Sequence, residues 1–378
     1  MVVAACAIMF VHVFIPGPGD WTDFTAFYTG AYADVHGLSP FIHSQLWQAE
    51  QVLLFGGGYH GPEQVIFYGN PPPFALLLRP LTGLSIATAY WTWCGLMVAA
   101  TSAGAWLFLG RWPAPARGLG TFAVACCGAA LWGYRVGQVA PMLVLALGVA
   151  VWCLQRNRPW LSGFALTFGF MQPHVLIGIA VVLLLTAGPE SRRRMVAGFA
   201  TGIAGWAGIA VAFDGGLGAI RDWVGSLGGD PTLLATQADV AALPGLLLHA
   251  VPTSYDNLIV VASLACAALS VAYFASRERG TDSPLLMCGG IAGCYSLLPY
   301  VHTSDQVVLV LLVLLLIGPD GAGLLERPVL LAAWVCCLAP LAMFHDYRTP
   351  VFDVLPPVSV LVACGLLGRG SRTRLRQA

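Results

Sequence analysis

The residues of this chain whose types could carry out chemistry are concentrated between Pro16 and Pro73. This stretch combines carboxylates, imidazoles and aromatic rings, and it contains no Lys or Arg. Its carboxylates and imidazoles are those of Asp20, Asp23, Asp34, Glu50, Glu63, His36, His43 and His60. A positioned carboxylate can take a proton from a hydroxyl group, and an imidazole can exchange hydrogen bonds near neutral pH. The stretch is therefore the first candidate for a site of general acid–base chemistry.

The rest of the sequence has the composition of a frame embedded in a membrane. It is 58% hydrophobic and 10% charged with a mean hydropathy of +0.77, whereas a soluble domain carries about 25% charged residues. Apolar runs such as 175–185 and 307–317 contain no charge, and they do not alternate as the strands of an outer-membrane barrel do. We therefore predict an all-α polytopic membrane protein that forms one integral-membrane domain over residues 1–378.

Charge and cysteine usage narrow the classes of partner. The formal net charge is zero, which gives no support for a nucleic-acid partner. The 11 Cys are scattered, mostly in apolar runs, without metal-binding spacing, and we interpret them as small core residues. Asp20 and Asp23 could together bind a divalent cation, although two carboxylates are few ligands for such an ion. No other cofactor is predicted.

A series of apolar segments predicts about 12 transmembrane helices. Their approximate bounds are 2–16, 71–110, 117–133, 138–154, 160–172, 173–187, 192–213, 256–276, 283–299, 304–318, 324–345 and 350–368. The stretch 71–110 is too long for one plain crossing, so it is expected to hold a short surface helix first. Pro173 interrupts 160–187, which predicts two short helices that meet at Gln172-Pro173-His174.

The first loop, 17–70, is predicted to contain two short helices on the membrane surface. Phe24 to Val35 has an apolar and aromatic stripe at helical spacing, and Ser44 to Leu54 repeats it after a Ser suited to an N-cap. A second long outer loop spans 214–255. With both termini inside, 14 of the 18 Arg lie on the cytoplasmic side, as the positive-inside rule requires. Seven of the eight His, all except His12, lie in the outer regions.

Three stretches in this order resemble glycosyltransferase family 87. The first is Asp23-Phe24 with Phe27-Tyr28, followed by Gly37-Leu38-Ser39-Pro40-Phe41; the others are Tyr68-Gly69-Asn70-Pro71-Pro72-Pro73-Phe74 and Leu298-Pro299-Tyr300-Val301-His302-Thr303-Ser304-Asp305. The resemblance implies a bundle of the GT-C fold class. It also implies inverting transfer of a hexose, with mannose expected, from a polyprenyl-phosphate donor. One departure is Gln172, which stands where relatives often carry Lys.

Such a transfer needs a base for the acceptor hydroxyl and groups that stabilise the departing phosphate. Asp23 is the candidate base, with Asp20 in reserve, although the residues alone also allow Asp23 to be only a helix cap. The candidate phosphate ligands are Arg135, His302, His174 and Arg348. The candidate ligands for sugar or acceptor hydroxyls are Tyr28, Tyr68, Asn70, Gln138 and Asp305. Asp305 and His302 could instead be a helix cap and an interfacial residue.

Competing functions remain open at this point. The glycosyltransferase hypothesis requires a polyprenyl-phosphate sugar donor, a lipid or glycan acceptor and contact with membrane lipids. A multi-pass transporter or flippase of lipid or sugar would show two related halves and polar groups near the middle of the membrane, and the sequence shows neither. A non-catalytic membrane scaffold would not need so acidic a loop.

The topology gives the first testable prediction. Residues 17–70 and 299–305 should face the same, extracytoplasmic side, because this arrangement keeps most Arg in the cytoplasm. Single cysteines introduced into both regions, in a background without accessible native thiols, should react with an impermeant reagent added from outside. Labelling of 17–70 from the cytoplasmic side alone would contradict the arrangement.

Overall fold

The computed structural model describes residues 22–55, 68–213, 216–227, 242–250, 253–277, 284–298, 301–319, 328–338 and 351–375. Within these ranges no strand is formed, and the regular structure is helical. The prediction of an all-α fold is therefore confirmed. The predicted segment 2–16 and two candidate site residues, Asp20 and Arg348, lie outside the described residues.

The described residues form 17 α-helices. In chain order they are α1 (Thr22–Val35), α2 (His43–Phe55), α3 (Pro72–Leu78), α4 (Ile86–Phe108), α5 (Ala114–Ala125), α6 (Gly128–Val136), α7 (Ala140–Gln155), α8 (Pro159–Leu166), α9 (Pro173–Thr186), α10 (Pro189–Phe213), α11 (Leu217–Leu227), α12 (Leu243–Ala250), α13 (Asp256–Arg277), α14 (Pro284–Leu297), α15 (Val307–Ile317), α16 (Pro328–Leu338) and α17 (Val351–Leu375). Short 3-10 segments occupy Arg79–Gly83, Thr167–Met171, Thr253–Tyr255 and Thr303–Gln306.

Most predicted segments correspond to helices, with three differences in their limits. The second surface helix begins at His43, one residue before the expected cap Ser44. Asp23 lies within the first turn of α1 and not at its N-cap, a place where the helix dipole favours a carboxylate. The segment 117–133 is broken between α5 and α6, which bend by 49°, because Cys127 starts a new helix by accepting from the Ala130 amide.

The breaks expected at prolines are present. The stretch 71–110 divides into α3, the 3-10 segment Arg79–Gly83 and the long helix α4. The stretch 160–187 divides at Gln172, where the backbone leaves the helical region before Pro173 opens α9. Proline has no amide hydrogen and its ring restricts the residue before it, which accounts for this interruption.

The predicted number of membrane crossings finds only partial support among the described helices. By length and composition, two of the described helices can each cross a membrane, Pro189–Phe213 and Asp256–Ser276, and the bent pair α5–α6 would be a third. Six further apolar stretches of helix among the described residues have 10–17 residues, fewer than the ~20 that a plain crossing needs. The prediction of about 12 transmembrane helices is therefore not confirmed.

Helices α4 and α7 make a close backbone contact at two glycines. A Cβ added to Gly104 would overlap the carbonyl oxygen of Val144, and one added to Gly148 would overlap the carbonyl oxygen of Gly104. Small residues let helix backbones approach closely in membrane proteins, where packing and not water exclusion drives association. This contact places the N-terminal end of α4 beside α6, which is the region where the candidate site is found.

The first loop is held against the bundle by the aromatic face of α1. Phe24, Phe27 and Tyr28 are buried, and the Phe27 ring lies edge-on to the Phe74 ring of α3 at 5.2 Å between centroids. At the far end of α1, the Arg79 guanidinium donates two hydrogen bonds to the Asp34 carboxylate. The loop is thus packed on the bundle at both ends of α1.

The glycine contact gives a prediction about stability. Gly148→Ala should destabilise the protein by about 1–3 kcal/mol, since the added methyl group must push two helix backbones apart. Gly95→Ala on α4 is the matched control, because nothing lies within 4 Å of its added Cβ and Ala is the better helix former by about 1 kcal/mol. Thermal unfolding in detergent measures both variants. Equal stability of Gly148→Ala and Gly95→Ala would contradict the close contact.

Candidate functional site

A buried group of polar side chains lies at the 3-10 segment Thr303–Gln306, directly before α15. The side chain of Asp305 is 0% exposed. Its Oδ2 accepts a hydrogen bond from the backbone amide of His302 at 2.9 Å, and the Asp305 amide donates to the His302 carbonyl at 3.0 Å. Asp305 therefore does cap this turn, as one reading of the sequence expected. The cap uses only one of its two oxygens.

A second histidine lies on the other side of the buried carboxylate. His174 Nε2 is 3.8 Å from Asp305 Oδ2, and the rings of His174 and His302 are 6.2 Å apart at 78°. Among the described residues, neither Asp305 Oδ1 nor His174 Nε2 has a hydrogen-bond partner. Burying a carboxylate is costly unless it is paired and hydrogen-bonded. These atoms are therefore placed to interact with a ligand or with water.

Two glutamines extend the group toward α6. Gln172 Nε2 donates to Gln138 Oε1 at 3.4 Å, and this oxygen also accepts from the Val139 amide at 3.0 Å. Gln172 is 4% exposed, and its Oε1 has no partner among the described residues. We call Gln138, Gln172, His174, His302 and Asp305 the polar cluster.

Gln172 is the member of the cluster that sequence reasoning did not select as a site residue. The available signal was a polar residue before Pro173, between two apolar runs. That signal showed where the chain breaks but not where the side chain points. The break itself explains the position, since it lets Gln172 and His174 both leave the helical path next to α15 and α6.

Asp23 approaches the cluster through its neighbour Phe24. Gly137 follows α6 with a left-handed φ of 78°, and a Cβ on it would overlap Phe24 Cβ. Glycine is required here for both reasons. Phe24, which follows Asp23 in the chain, thus contacts Gly137, which precedes Gln138. Asp23 and Gln138 are therefore each next in the chain to a residue of this contact. The structure therefore brings the first loop and the polar cluster together.

Arg135 lies on a different side of α6 from the cluster. Gly133 of this helix packs on Ser304, with 3.4 Å between an added Cβ and the Ser304 Cβ. Residues two apart on a helix point roughly 200° from each other, so Arg135 faces away from Ser304. Its guanidinium carbon is 5.9 Å from the centre of the Trp132 ring. A role for Arg135 at a phosphate stays a prediction.

The tyrosines predicted to bind sugar have other contacts. The Tyr28 hydroxyl donates to the Leu84 carbonyl at 2.8 Å, and burial raises its pKa above the ordinary value, so it remains a donor. Tyr68 is 1% exposed; its ring lies beneath Gly30 and 5.6 Å from the Phe41 ring. The structure places both with the packing of the first loop and not with the polar cluster.

Asn70, the last residue of that loop, precedes Pro71, which lines an apolar cavity of about 200 Å³. The Asn70 Nδ2 is buried and lacks a partner among the described residues. The cavity is lined by α3, α10, α11 and the 3-10 segment Thr167–Met171, including Pro71, Met171 and Trp223. Pro71 follows Asn70 in the chain and Met171 precedes Gln172, so the cavity adjoins the polar cluster. An apolar chain attached to a polar head would fit this arrangement.

The described residues do not converge as a metal site: no group of three or more His, Cys, Asp or Glu side chains among them could hold an ion. Of the pair Asp20 and Asp23, Asp20 lies outside the described residues. A divalent cation at that pair stays a prediction.

The comparison with protein families decides the class of this chain. The family model described as glycosyltransferase family 87 matches residues 67–298. The chain belongs to glycosyltransferase family 87. This glycosyltransferase is a membrane protein by its family and its apolar helices. The match includes Asn70, Gln138, Gln172 and His174, while Asp23, His302 and Asp305 lie outside it. Comparison with curated proteins found no match, and comparison with solved structures found none either.

Replacing the buried carboxylate gives a prediction for this glycosyltransferase. In Asp305→Asn the amide oxygen can still accept from the His302 amide, so stability should fall by only about 1 kcal/mol. Transfer activity should fall at least tenfold, because the charge that faces His174 is lost. Thermal unfolding and sugar transfer by the purified protein measure the two effects.

The control for this prediction is Glu190→Gln, which removes an exposed carboxylate paired with Arg194 on the same turn of α10. This variant should keep full activity, because exposed pairs contribute little. Wild-type activity in Asp305→Asn would show that the carboxylate is only a cap.

Proposed function

We propose that this family 87 member transfers a hexose, with mannose the expected sugar, from a polyprenyl-phosphate donor. The acceptor would be a lipid or glycan at the extracytoplasmic face of a cell membrane that the chain crosses several times, with both termini in the cytoplasm. The observation that carries the proposal is the position of the polar cluster beside the apolar cavity. A polyprenyl-phosphate sugar has both kinds of surface, a charged head and a long hydrocarbon chain.

The head of the donor would lie at the polar cluster. His302 and His174 can donate hydrogen bonds to phosphate oxygens. Arg135 and Arg348 are further candidates for the phosphate, and Asp305 is proposed to hold the two histidines in place. Gln138, Gln172 and Asn70 would bind sugar hydroxyls with amide groups that can both donate and accept.

The apolar cavity supports a lipid-linked donor over a nucleotide sugar. Its lining is apolar, and one of its walls is α10, a helix long and apolar enough to cross a membrane. A hydrocarbon chain that enters from the bilayer would reach this wall without crossing water. A nucleotide base would find few hydrogen-bond partners there.

The reaction proposed is a single displacement at the anomeric carbon. Asp23 accepts the proton of the acceptor hydroxyl while the acceptor oxygen forms a bond to this carbon. The bond from the carbon to the phosphate oxygen breaks, and the electron pair leaves with the polyprenyl phosphate. Because attack and departure occur on opposite faces of the sugar, the configuration inverts. Asp23 is suited to this role because its carboxylate lies in the first turn of α1 and its side chain is not fully buried.

The experiment is transfer of labelled mannose from polyprenyl-phosphate mannose to an extracted lipid pool by purified protein, with the products identified by mass spectrometry. The wild type should form a mannosylated product, and Asp23→Asn should lose activity by roughly a hundredfold or more. The same variant should fold, because Asn keeps the shape of Asp and the lost dipole interaction is only about 0.3–1 kcal/mol.

Asp20→Asn is the matched control, since it removes a carboxylate three residues earlier, and it should keep measurable activity. An inactive Asp20→Asn beside an active Asp23→Asn would move the role of base to Asp20. Full activity of both variants would remove this mechanism. Movement of intact lipid or sugar across vesicles by the wild type, without any new glycosidic bond, would favour a transporter or flippase instead.

A further inference from the structure

Three side chains on one face of α4 donate hydrogen bonds to backbone carbonyls at the C-terminal end of α6. The Tyr90 hydroxyl donates to the carbonyls of Tyr134 at 3.1 Å and Arg135 at 2.9 Å. The Trp93 indole nitrogen donates to the Gly137 carbonyl at 2.8 Å. Cys94 Sγ lies 3.3 Å from the Tyr134 carbonyl oxygen. Positions three and four apart lie on the same side of a helix, so one helical turn of α4 supplies all of these contacts.

These donors satisfy backbone groups that a helix leaves without partners. The last four carbonyls of an α-helix accept no hydrogen bond from amides of the same helix. Here the turn after α6 is closed by the Gln138 amide, which donates to the Gly133 carbonyl at 2.8 Å, and by the Gly137 amide, which donates to the Tyr134 carbonyl at 3.2 Å. The neighbouring helix α4 adds donors to the carbonyls of Tyr134, Arg135 and Gly137. The direction in which Gln138 leaves the helix is thus set both by its own backbone and by α4.

The same two aromatic residues also contact the helix that carries Asp23. The Phe24 ring is 5.6 Å from the Tyr90 ring and 6.5 Å from the Trp93 ring between centroids. Phe24 is 0% exposed and touches Gly137. Tyr90 and Trp93 therefore contact both α1, through the neighbour of Asp23, and the turn that presents Gln138.

We infer that Tyr90 and Trp93 are positioning residues for sugar transfer: they fix the first turn of α1 against the Gly137–Gln138 turn, so that base and sugar-binding amide keep one geometry. The inference rests on the proposed function, since it assigns Asp23 and Gln138 their roles there. Neither aromatic residue touches a reacting atom. Their polar groups carry the effect: phenylalanine at 90 keeps the ring of Tyr90 and phenylalanine at 93 keeps a smaller aromatic ring, but neither can donate a hydrogen bond to the carbonyls at the end of α6.

The experiment compares Tyr90→Phe, Trp93→Phe and their double variant with Thr92→Val. The control removes a hydroxyl that donates to the Thr88 carbonyl at 2.9 Å from the same turn of α4, on its exposed side. Amide hydrogen exchange at residues 133–138 should become faster in the double variant and stay unchanged in the control. The kcat for transfer should fall about tenfold in the double variant, because misalignment by a fraction of an ångström is costly, and by less than about twofold in the control.

A double-mutant cycle separates positioning from general loosening of the fold. If Tyr90 acts through the Gln138 turn, the combined loss of activity in Tyr90→Phe with Gln138→Leu should be clearly smaller than the product of the two single losses. Losses that multiply would overturn the inference, and so would unchanged exchange at 133–138. A wild type that forms no product with any lipid-linked donor would refute the proposed function instead, and the exchange data would still decide whether α4 holds the turn.

Discussion

The structure around the candidate site depends on one buried carboxylate. Asp305 is 0% exposed, and a charged group in so apolar an interior must be compensated by hydrogen bonds or by an opposite charge. The His302 amide satisfies one oxygen, and His174 approaches the same oxygen to 3.8 Å. The chain breaks before α9, where Pro173 interrupts the helix, and at the 3-10 segment before α15. Both breaks bring a polar segment to a place that continuous apolar helices would have filled.

Two contacts at glycines connect this buried group to the first loop. Gly133 lets α6 lie against Ser304, and Gly137 lets the backbone beside Phe24 lie against the end of α6. Helix α6 therefore connects the first turn of α1, which carries Asp23, to the segment that carries Asp305, although the two are far apart in the chain. The apolar cavity adjoins the same place through Met171 and Pro71. The candidate base Asp23, the hydrogen-bond donors of the polar cluster and the apolar cavity are thus linked through successive contacts, an arrangement compatible with the proposed transfer from a lipid-linked sugar.

Local patterns in the sequence predict much of the fold but less of the site. The aromatic stripe of α1 and the interruption at Pro173 follow from helical periodicity and proline geometry, and both are present. The position of Asp305 as a cap was also readable from its spacing to His302. Other features depend on contacts between distant segments, which no local pattern encodes. These are the hydrogen bond from the Tyr28 hydroxyl to the Leu84 carbonyl, the orientation of Arg135 and the burial of Gln172. The predicted number of crossings is not confirmed, because several of the apolar segments form helices shorter than a plain span needs.

The central claim is that the head of a lipid-linked donor binds at the polar cluster with its hydrocarbon chain in the apolar cavity. The most direct measurement is an experimental structure of the protein with a polyprenyl phosphate bound. The account predicts phosphate oxygens within hydrogen-bond distance of His302 or His174, and the first prenyl units against Trp223 and Met171. A phosphate bound at another surface, such as the Arg79 guanidinium beside Asp34, with the polar cluster occupied only by water, would contradict it.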